Sequence, residues 1–320
     1  MRLVSLDDGT PDGAAGVMLP TGEYLSVTHF ARAGTLEAWA PRSWRRLLDA
    51  GREGLELVGA MHERALRLSD AEREALRARG GLLAQDTALL APIANPSLIL
   101  AVGLAYKSHL AEMSGTPAPK HPSAFMKSPA SISGPGACVS LPRQAARHVD
   151  FEGELACVFA RTCHNVSAAD ALDYVLGFTV ANDLSARDWV EAVWQAQAPW
   201  EARLTWEVNI MGKQFPGFTV LGPAIVTVDE VRNLESQRLT TRLNGKIMQD
   251  ALLSDMIFPL TEVIAHFSRW HTFRAGDILL TGTPAGVGVS RDPKVFLKDG
   301  DCVEVEITGL GRLVTQISHA

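Results

Sequence analysis

Residues 149–158 read VDFEGELACV, a β-type run that carries two glutamates two positions apart. Side chains alternate between the two faces of a strand, so Glu152 and Glu154 share one face while Phe151 and Leu155 share the other. Two carboxylates this close repel each other unless a cation, a shared proton or water compensates their charge. The stretch therefore predicts either a metal site or an exposed edge strand, where glutamates oppose unwanted strand pairing.

A third carboxylate favours the metal site. Asp183 lies at the end of the apolar strand predicted at residues 176–181, where functional side chains commonly emerge onto a loop. Three oxygen ligands without a histidine or cysteine suit a hard cation, so Mg²⁺ or Mn²⁺ is the expected ion and Ca²⁺ also fits. The alternative role for Asp183 is a helix N-cap.

The segment GLAYKSHLAE at residues 103–112 supplies a second candidate group. If a helix begins near Tyr106, His109 and Glu112 are three residues apart and lie on one helix face. A carboxylate partner fixes the imidazole tautomer and raises its basicity, as a water-activating general base requires. The same spacing also occurs in ordinary surface pairs.

The segment LLTGTPAGVG at residues 279–288 runs from an apolar strand into a glycine-rich loop. Such a loop lets backbone N–H groups and the Thr283 hydroxyl approach an anion closely. It does not predict a nucleotide site, because the Gly-Lys-Ser/Thr ending of a P-loop and the G-x-G-x-x-G spacing are both missing. A plain tight turn is the alternative.

Two lysines form a further group. Lys127 follows an apolar run and Lys213 lies in the segment GKQF, and either could neutralise a substrate carboxylate or polarise a carbonyl. Both could instead be solvated surface lysines. A cluster of tryptophans could line an apolar pocket, although core packing is the usual role of this residue type. These tryptophans are Trp189, Trp194, Trp200 and Trp206.

Composition narrows the function classes. The chain has 320 residues, 47% of apolar type and 21% charged, with a net charge of −6. Without a dense run of Lys or Arg, this charge argues against a nucleic-acid partner. No segment approaches the roughly 18 uninterrupted apolar residues of a membrane helix, and the N-terminus lacks signal-peptide regions, so we expect a cytoplasmic protein. The four cysteines lack a C-x-x-C pair and are expected to be reduced core thiols.

The linker-like segment APIANPS divides the chain. We predict a small N-terminal α/β domain at residues 1–92 and a catalytic domain at residues 97–320. The first domain has short β-type runs and helical segments, at residues 1–6, 16–19, 23–30, 44–50 and 55–68. A further helix begins after Ser69, which forms a capping-box pattern with Glu72, and ends at Gly80.

The catalytic domain is rich in candidate strands. They lie at residues 98–102, 124–127, 149–160, 176–181, 225–228, 238–243, 278–281, 303–307 and 313–317. Two helices are expected, at residues 168–175 after Ser167 and at residues 259–270, where Pro259 occupies a first-turn position. Asn244-Gly245 predicts a two-residue hairpin. The pattern indicates a β-rich α+β protein.

Taken in order, these segments resemble the fumarylacetoacetate hydrolase family. The resemblance covers about residues 98–317, rests on four motifs in the family's order, and extends to the segments at residues 123–136 and 244–256. It implies a mixed β-sandwich or β-roll with a metal in its mouth, and usually a homodimer. The small N-terminal domain is similar in arrangement rather than in motif.

The resemblance also implies roles for individual residues. Three would be metal ligands: Glu152, Glu154 and Asp183. Three would be catalytic: the water-activating dyad His109 and Glu112, and the metal-side lysine Lys213. Two would bind a 2-oxo acid substrate: Arg187, and Thr283, which would hold its carboxylate. Tyr106 and Lys127 are two further candidates for substrate binding.

Several positions depart from the family pattern. Ala105 stands where Asn is common, Val190 where Gln is common, and Gln214 and Pro216 where small or acidic residues are more usual. The stretch at residues 190–207 is long and rich in tryptophan. These changes concern the distal half of the substrate and leave the metal and carboxylate end of the site as in the family.

The expected reaction is metal-dependent hydrolysis of a carbon–carbon bond in an acylpyruvate-type 2,4-dioxo acid, in aromatic or related catabolism. His109 would activate the attacking water and Lys213 would stabilise the oxyanion. A decarboxylase, isomerase, hydratase or lactone hydrolase could use the same site, but the dyad favours hydrolysis because decarboxylation and tautomerisation need no activated water. The alternative to an enzyme is a binding protein with a vestigial site. The presence of all three carboxylates argues against this alternative.

Overall fold

The candidate site lies on a large mixed sheet of twelve strands. The computed structural model of the chain describes residues 1–32, 42–113, 116–142 and 146–319. With strands numbered in chain order, the large sheet contains β1 Arg2–Leu6, β2 Ala14–Met18, β3 Tyr24–Ser26, β4 Leu82–Leu83, β5 Leu89–Leu90, β6 Ile99–Gly103, β7 Ser123–Lys127, β8 Ile132–Ser133, β11 Gly153–Phe159, β12 Val175–Asp183, β14 Thr219–Thr227 and β17 Ile278–Leu280. Its main order is β4-β3-β2-β1-β14-β12-β11-β17-β6-β7.

Two smaller sheets complete the strand structure of the described residues. The five-stranded sheet has the order β16-β15-β18-β19-β9 and contains β9 Cys138–Leu141, β15 Arg238–Leu243, β16 Lys246–Leu252, β18 Cys302–Ile307 and β19 Gly311–His319. The two-stranded sheet pairs β10 Val149–Asp150 with β13 Ser185–Ala186. The predicted hairpin at Asn244-Gly245 is confirmed as the connection from β15 to β16.

Helices occupy the connections between the strands. They are α1 Val27–Arg32, α2 Trp44–Asp49, α3 Gly51–Leu66, α4 Asp70–Ala78, α5 Lys107–Glu112, α6 Val190–Gln195, α7 Pro199–Met211 and α8 Leu260–Ser268. The predicted capping box is confirmed, because the Ser69 N–H donates to Glu72 at 2.8 Å and the Glu72 N–H donates to the Ser69 hydroxyl at 3.4 Å. No helix among the described residues is long and apolar enough to cross a membrane.

The large sheet buries both of its faces around the decisive stretch. Leu155 and Cys157 of β11 belong to a core shared with the five-stranded sheet, whereas Ala156 and Val158 belong to a second core on the opposite face. β11 lies between β12 and β17, and Glu152 and Glu154 are both buried, so the alternative of an exposed edge-strand face for these glutamates is wrong. The expected β-rich, mixed sheet architecture is confirmed.

The N-terminal region is joined to the same sheet. β1 pairs antiparallel with β14, with Arg2 opposite Val226. Trp44 of α2 is buried and its indole N–H donates to the Val4 carbonyl at 2.7 Å. The sheet therefore continues from residues 1–92 into the region beyond, while the division into two domains stays a prediction.

Four local predictions need correction. The strand expected at residues 149–160 is interrupted at Phe151 and Glu152, between β10 and β11. The helix expected at residues 168–175 is wrong. The Ser167 hydroxyl accepts from the Asp170 N–H at 3.3 Å, only a short 3₁₀ turn follows at Ala171–Tyr174, and Val175 already begins β12.

The other two corrections concern a strand and a helix start. The strand expected at residues 225–228 begins earlier, at Thr219, because a register irregularity between β12 and β14 accommodates Pro223 inside the strand. The β-type run at residues 23–30 turns helical at Val27.

All four cysteines are free, but only Cys157 and Cys163 are buried, so the prediction of core thiols fails for Cys138, which is exposed.

Candidate metal centre and active site

Three acidic side chains converge where β11 and β12 pair. Glu154 on β11 lies opposite Ala181 on β12, and the Asp183 N–H donates to the Glu152 carbonyl at 2.8 Å. One ligand oxygen of each of Glu152, Glu154 and Asp183 lies within 4.8 Å of the others. All three side chains are buried. The antiparallel pairing thus assembles the carboxylates that the sequence proposes as metal ligands.

Two lysines contact this cluster. The Lys213 ammonium donates to Glu152 Oε2 at 2.5 Å, to Asp183 Oδ2 at 2.7 Å and to the Ser185 hydroxyl at 2.6 Å. The buried Lys127 ammonium donates to Asp183 and to the Lys213 carbonyl. Both lysines therefore neutralise carboxylates inside the protein, and neither is an ordinary surface lysine.

The charges shift the pKa values of the cluster in opposite directions. Burial raises the pKa of Glu154 well above its usual value, and the neighbouring Asp183 and Glu152 raise it further. Burial alone would also raise the pKa of Glu152, but Lys213 and Arg187 outweigh it and lower this pKa to about 2. Burial would lower the pKa of Lys213, yet Asp183 and Glu152 raise it and keep the amine charged.

Helix α5 carries the predicted dyad. His109 Nδ1 and Glu112 Oε1 are 2.6 Å apart, and the Gly286 N–H donates to Glu112 Oε2 at 2.9 Å. This pairing leaves Nε2 as the ring nitrogen that can exchange a proton with a substrate. Helix α5 is anchored at its first turn, because the Ser108 hydroxyl donates to Asp255 at 2.5 Å.

The glycine-rich loop contacts the cluster through its backbone. The Gly282 N–H donates to Glu154 Oε2 at 2.9 Å. Gly282 has a φ of 83°, and a Cβ there would lie 2.7 Å from the Ala105 Cβ, so the loop requires glycine at this position. The Thr283 hydroxyl donates to the Gly153 carbonyl at 2.9 Å and accepts from Gln249 at 2.7 Å. The loop is thus built into the site rather than being a free turn.

Asp150 is a residue of the site that the sequence did not single out. It is fully buried and accepts from the Gly288 N–H at 2.7 Å, from the Val289 N–H at 3.0 Å and from Arg187 Nε at 3.2 Å. Arg187 also donates to Glu152. Asp150 therefore joins the glycine-rich segment to the arginine, and its only sequence signal was a carboxylate within an otherwise apolar strand.

One cleft of about 750 Å³ brings most of the proposed residues together. Eight of the ten line it: His109, Glu112, Glu152, Glu154, Asp183, Arg187, Lys213 and Thr283. The other two, Tyr106 and Lys127, are buried behind this lining. Burial raises the pKa of Tyr106, so its phenol stays neutral.

The donor set fits a hard divalent cation. Three carboxylates within reach of one ion offer oxygen ligands, which Mg²⁺, Mn²⁺ and Ca²⁺ prefer, and the cluster contains no sulfur or imidazole ligand that would favour zinc. The Gly282 N–H fixes one oxygen of Glu154 and leaves the other available. The acidic triad can therefore bind a metal ion.

Comparison with known sequences agrees with this geometry. The family described as fumarylacetoacetate (FAA) hydrolase C-terminal matches residues 98–318. The chain belongs to the fumarylacetoacetate hydrolase family. The resemblance stated from its motifs is thereby confirmed, and the match includes all ten residues proposed for the site.

Two relatives illustrate the family's activities. The human oxaloacetate tautomerase FAHD2A, mitochondrial, is 40% identical over 246 residues, which are 77% of this chain and 74% of that protein. The oxaloacetate tautomerase YisK of Bacillus subtilis (strain 168) is 36% identical over 234 residues, 72% of this chain and 73% of that protein. The human relative is named as mitochondrial, and the cytoplasmic location of this chain stays a prediction.

Solved structures share the whole architecture. A putative HpcE protein from Mycobacterium smegmatis has a TM-score of 0.78 at 31% identity, with all of both chains covered. Maleylpyruvate hydrolase from Sphingobium sp. SYK-6, solved with manganese (II) ion and pyruvate, has a TM-score of 0.73 at 25% identity, also with all of both chains covered. The full-length match includes the N-terminal region.

Proposed function

We propose that this protein is a divalent-metal-dependent enzyme that interconverts the keto and enol forms of a 2-oxo acid. The observation that carries the proposal is the shared cleft, in which the acidic triad and the proton-transferring pair of His109 and Glu112 lie together. The relatives named oxaloacetate tautomerases, 36 to 40% identical, support the same reaction.

The triad would hold Mg²⁺ or Mn²⁺. Mg²⁺ and Mn²⁺ both accept carboxylate oxygens, and the manganese in the maleylpyruvate hydrolase structure supports the second choice. When bound, such a cation polarises the 2-oxo group and makes the neighbouring C3–H more acidic. Glu152, Glu154 and Asp183 are the residues that would hold it.

His109 would then move the proton. Its Nε2 takes the proton from C3 of the keto form, the C3–H electrons form the C2=C3 double bond, and the C2=O π electrons move onto oxygen. Glu112, held by the Gly286 N–H, orients the imidazole and stabilises its protonated form. Lys213, kept charged by its carboxylate neighbours, would stabilise the negative charge on the C2 oxygen. Water then protonates that oxygen and takes the proton from His109, which completes the enol and restores the neutral imidazole.

The remaining cations and donors would position the substrate. Arg187 lines the cleft beside Glu152 and is the proposed contact for a substrate oxygen. Thr283 also lines the cleft, and its hydroxyl would turn from the Gly153 carbonyl to hold the substrate carboxylate. Lys127 donates to Asp183, and we propose that it positions this metal ligand. Tyr106 is buried and would support α5 from the core.

The direct test follows oxaloacetate enolisation by ultraviolet absorbance with Mg²⁺ or Mn²⁺. His109→Ala should lower kcat by about 10² to 10⁴, the usual contribution of a general acid–base. Glu112→Gln should give a milder loss, because it removes the orienting charge and keeps the imidazole. Metal affinity should change little in both variants. A wild-type rate in His109→Ala would refute the assignment of the proton transfer.

Carbon–carbon hydrolysis of an acylpyruvate is the second candidate. The same dyad can activate a water, and the maleylpyruvate hydrolase that shares the whole fold supports this reaction. Enolisation leaves the carbon skeleton intact, whereas hydrolysis releases pyruvate and a carboxylic acid. Pyruvate formed from a 2,4-dioxo acid at the rate of substrate loss would therefore favour hydrolysis.

We also propose a homodimer, following the resemblance to the family. Light scattering of the purified protein should give twice the mass of the 34.5 kDa chain. The mass of a single chain would contradict this proposal and leave the proposed chemistry untouched.

A further inference from the structure

The chain between Arg187 and Lys213 forms one wall of the cleft. It contains α6 and α7, which pack against each other, and six of their residues line the cleft: the apolar Val190, Val193, Trp206 and Ile210, and the polar Glu191 and Asn209. The four apolar side chains form most of this lining, although the surrounding helix surface is largely exposed. The wall therefore presents apolar surface towards the space above the charged cluster.

Phe125 extends this apolar surface towards the catalytic lysine. It lies on β7, lines the same cleft, and its ring centre is 5.6 Å from Lys213 Nζ. The floor of the cleft is thus charged, and the wall together with Phe125 adds an apolar patch to its lining. A ligand that spans both parts needs an anionic, oxygen-rich end and an apolar end.

Gln214 holds the wall in place. Its Nε2 donates to the Met126 carbonyl at 3.1 Å and to the Ile210 carbonyl at 3.3 Å, and its Oε1 accepts from the Ser128 N–H at 2.8 Å. This one side chain therefore joins the end of α7 to β7 directly after Lys213. The wall is fixed at a defined distance from the reacting end of a substrate.

The size of the cleft also points to a large ligand. Its volume of about 750 Å³ lies in the range of roughly 300 to 1,000 Å³ that accommodates drug-sized ligands. A small diacid such as oxaloacetate fills only a fraction of that space and offers no apolar group for the wall. Closing water out of such a site favours a substrate with an apolar substituent.

We infer that α6 and α7 form a specificity wall, and that the preferred substrate is a 2-oxo acid with an aryl or branched alkyl group beyond C4. A 4-aryl-2,4-dioxobutanoate has this chemistry. This inference rests on the proposed enolisation of a metal-held 2-oxo acid. The charged end of the substrate occupies the floor, and the apolar group contacts Trp206 and Ile210.

The test compares two substrates and a matched pair of tryptophan variants. Enolisation of 2,4-dioxo-4-phenylbutanoate and of oxaloacetate is measured with Mn²⁺ for the wild type, Trp206→Ala and Trp200→Ala. Trp200 is the control because it lies on the same helix, is 66% exposed and does not line the cleft. Ile210→Ala gives a second, independent change in the wall.

The wild type should have the higher kcat/KM for the phenyl substrate. Trp206→Ala and Ile210→Ala should lower the ratio of phenyl to oxaloacetate kcat/KM by about tenfold, the lower range for lost apolar contact in a pocket. Trp200→Ala should leave the ratio unchanged.

Two outcomes separate this inference from the proposed function. If neither substrate is enolised with Mg²⁺ or Mn²⁺, the proposed function is wrong and the inference falls with it. If oxaloacetate is enolised but is preferred over the phenyl substrate, and the wall variants leave the ratio unchanged, the specificity wall is refuted while the enolising activity stands.

Discussion

The ammonium of Lys213 lies 2.5 Å from Glu152 Oε2 and 2.7 Å from Asp183 Oδ2, so one lysine bridges two of the three proposed metal ligands. The lysine follows α7 and the carboxylates belong to the β11–β12 region, so the contact joins distant parts of the chain. In the proposed reaction, this lysine would place a positive charge where negative charge develops on the enolising substrate.

Lys213→Met should therefore lower kcat by about 10² to 10³, the typical effect of removing one preorganised donor. The methionine keeps the aliphatic stem and removes only the charged donor. Lys246→Met, at an exposed position in the β15–β16 hairpin, is the matched control and should keep wild-type kinetics. Unchanged kcat in Lys213→Met, with the fold checked by circular dichroism, would contradict the role of this lysine.

Local sequence patterns correctly predicted those strands and caps whose tertiary packing is compatible with the pattern. The strand at Arg238–Leu243 and the capping box at Ser69 follow from alternation and spacing alone. The helix expected at residues 168–175 failed because Val175 pairs with Phe159, and this tertiary pairing overrides the local helical pattern. Helix α7 was missed although Pro199 in the first turn and Glu201, which accepts from the Ala198 N–H, were readable signals.

The site residues also form two groups: those that a local sequence pattern predicts, and those that only the tertiary structure brings to the site. Glu152, Glu154 and Asp183 could be proposed because strand alternation and the end of an apolar run place carboxylates together. Asp150 could not be proposed, since its donors Gly288 and Val289 lie more than a hundred residues further along the chain. Contacts of this kind depend on the sheet order, which no local pattern encodes.

Metal removal gives the next prediction. Chelation should abolish turnover, and Mg²⁺ or Mn²⁺ should restore it, because the proposed reaction needs a cation on the triad. Glu154→Gln should weaken Mn²⁺ binding at least about 100-fold, as loss of a ligand exceeds the usual cost of losing an outer partner. Calorimetric titration of the chelated protein measures this affinity.

The metal-free Glu154→Gln variant is the control for folding. Glu154→Gln removes a buried carboxyl group that lies beside Asp183 and Glu152, so its Tm without metal should equal or exceed that of the wild type. Full turnover after exhaustive chelation, or wild-type Mn²⁺ affinity in the variant, would exclude the triad as the metal site.

A pH-dependent contribution to stability is expected from Asp250. Arg238 donates to both of its oxygens, at 2.5 and 2.7 Å, and this hydrogen bonding lowers the pKa of Asp250. Because the folded pKa lies below the unfolded one, the contribution is present above the unfolded pKa and is lost as pH falls through the folded pKa. Asp250→Asn should lower the urea midpoint slightly at neutral pH, as for exposed pairs.

The difference between wild type and Asp250→Asn should shrink as the pH is lowered into the acid range. Urea unfolding followed by fluorescence at a series of pH values measures it. A difference that grows towards acid pH would contradict the assigned sign.

Asp150 should matter for both stability and substrate binding. Asp150→Asn removes one partner of a buried ion pair with Arg187 and disturbs two backbone donors, so it should cost about 3 to 5 kcal/mol of stability. The loosened Arg187 should also raise KM for the 2-oxo acid. Asp250→Asn is the matched control, since it makes the same change at an exposed pair. Equal effects of the two variants on unfolding and KM would show that Asp150 has no special role.

Ser108 should determine the position of the His109 side chain relative to the metal site. Its hydroxyl donates to Asp255 at 2.5 Å and accepts from the Ala285 N–H at 3.2 Å, so it ties the first turn of α5 to the glycine-rich loop. Ser108→Ala removes both contacts and lets the helix shift relative to the metal site. Since small misplacements of a catalytic group reduce the rate strongly, we expect kcat to fall by about tenfold, with little change in Mn²⁺ affinity.

This outcome separates a positioning role from a structural one. If Ser108 only stabilises the fold, Ser108→Ala should lower the Tm and leave kcat of the folded enzyme unchanged. If it positions His109, kcat should fall at temperatures where the variant is fully folded, because the imidazole no longer meets C3 of the substrate in the productive geometry. Ser140→Ala, an exposed serine on β9, should change neither quantity. A fall in kcat shared by both serine variants would remove the case for Ser108 as a positioning residue.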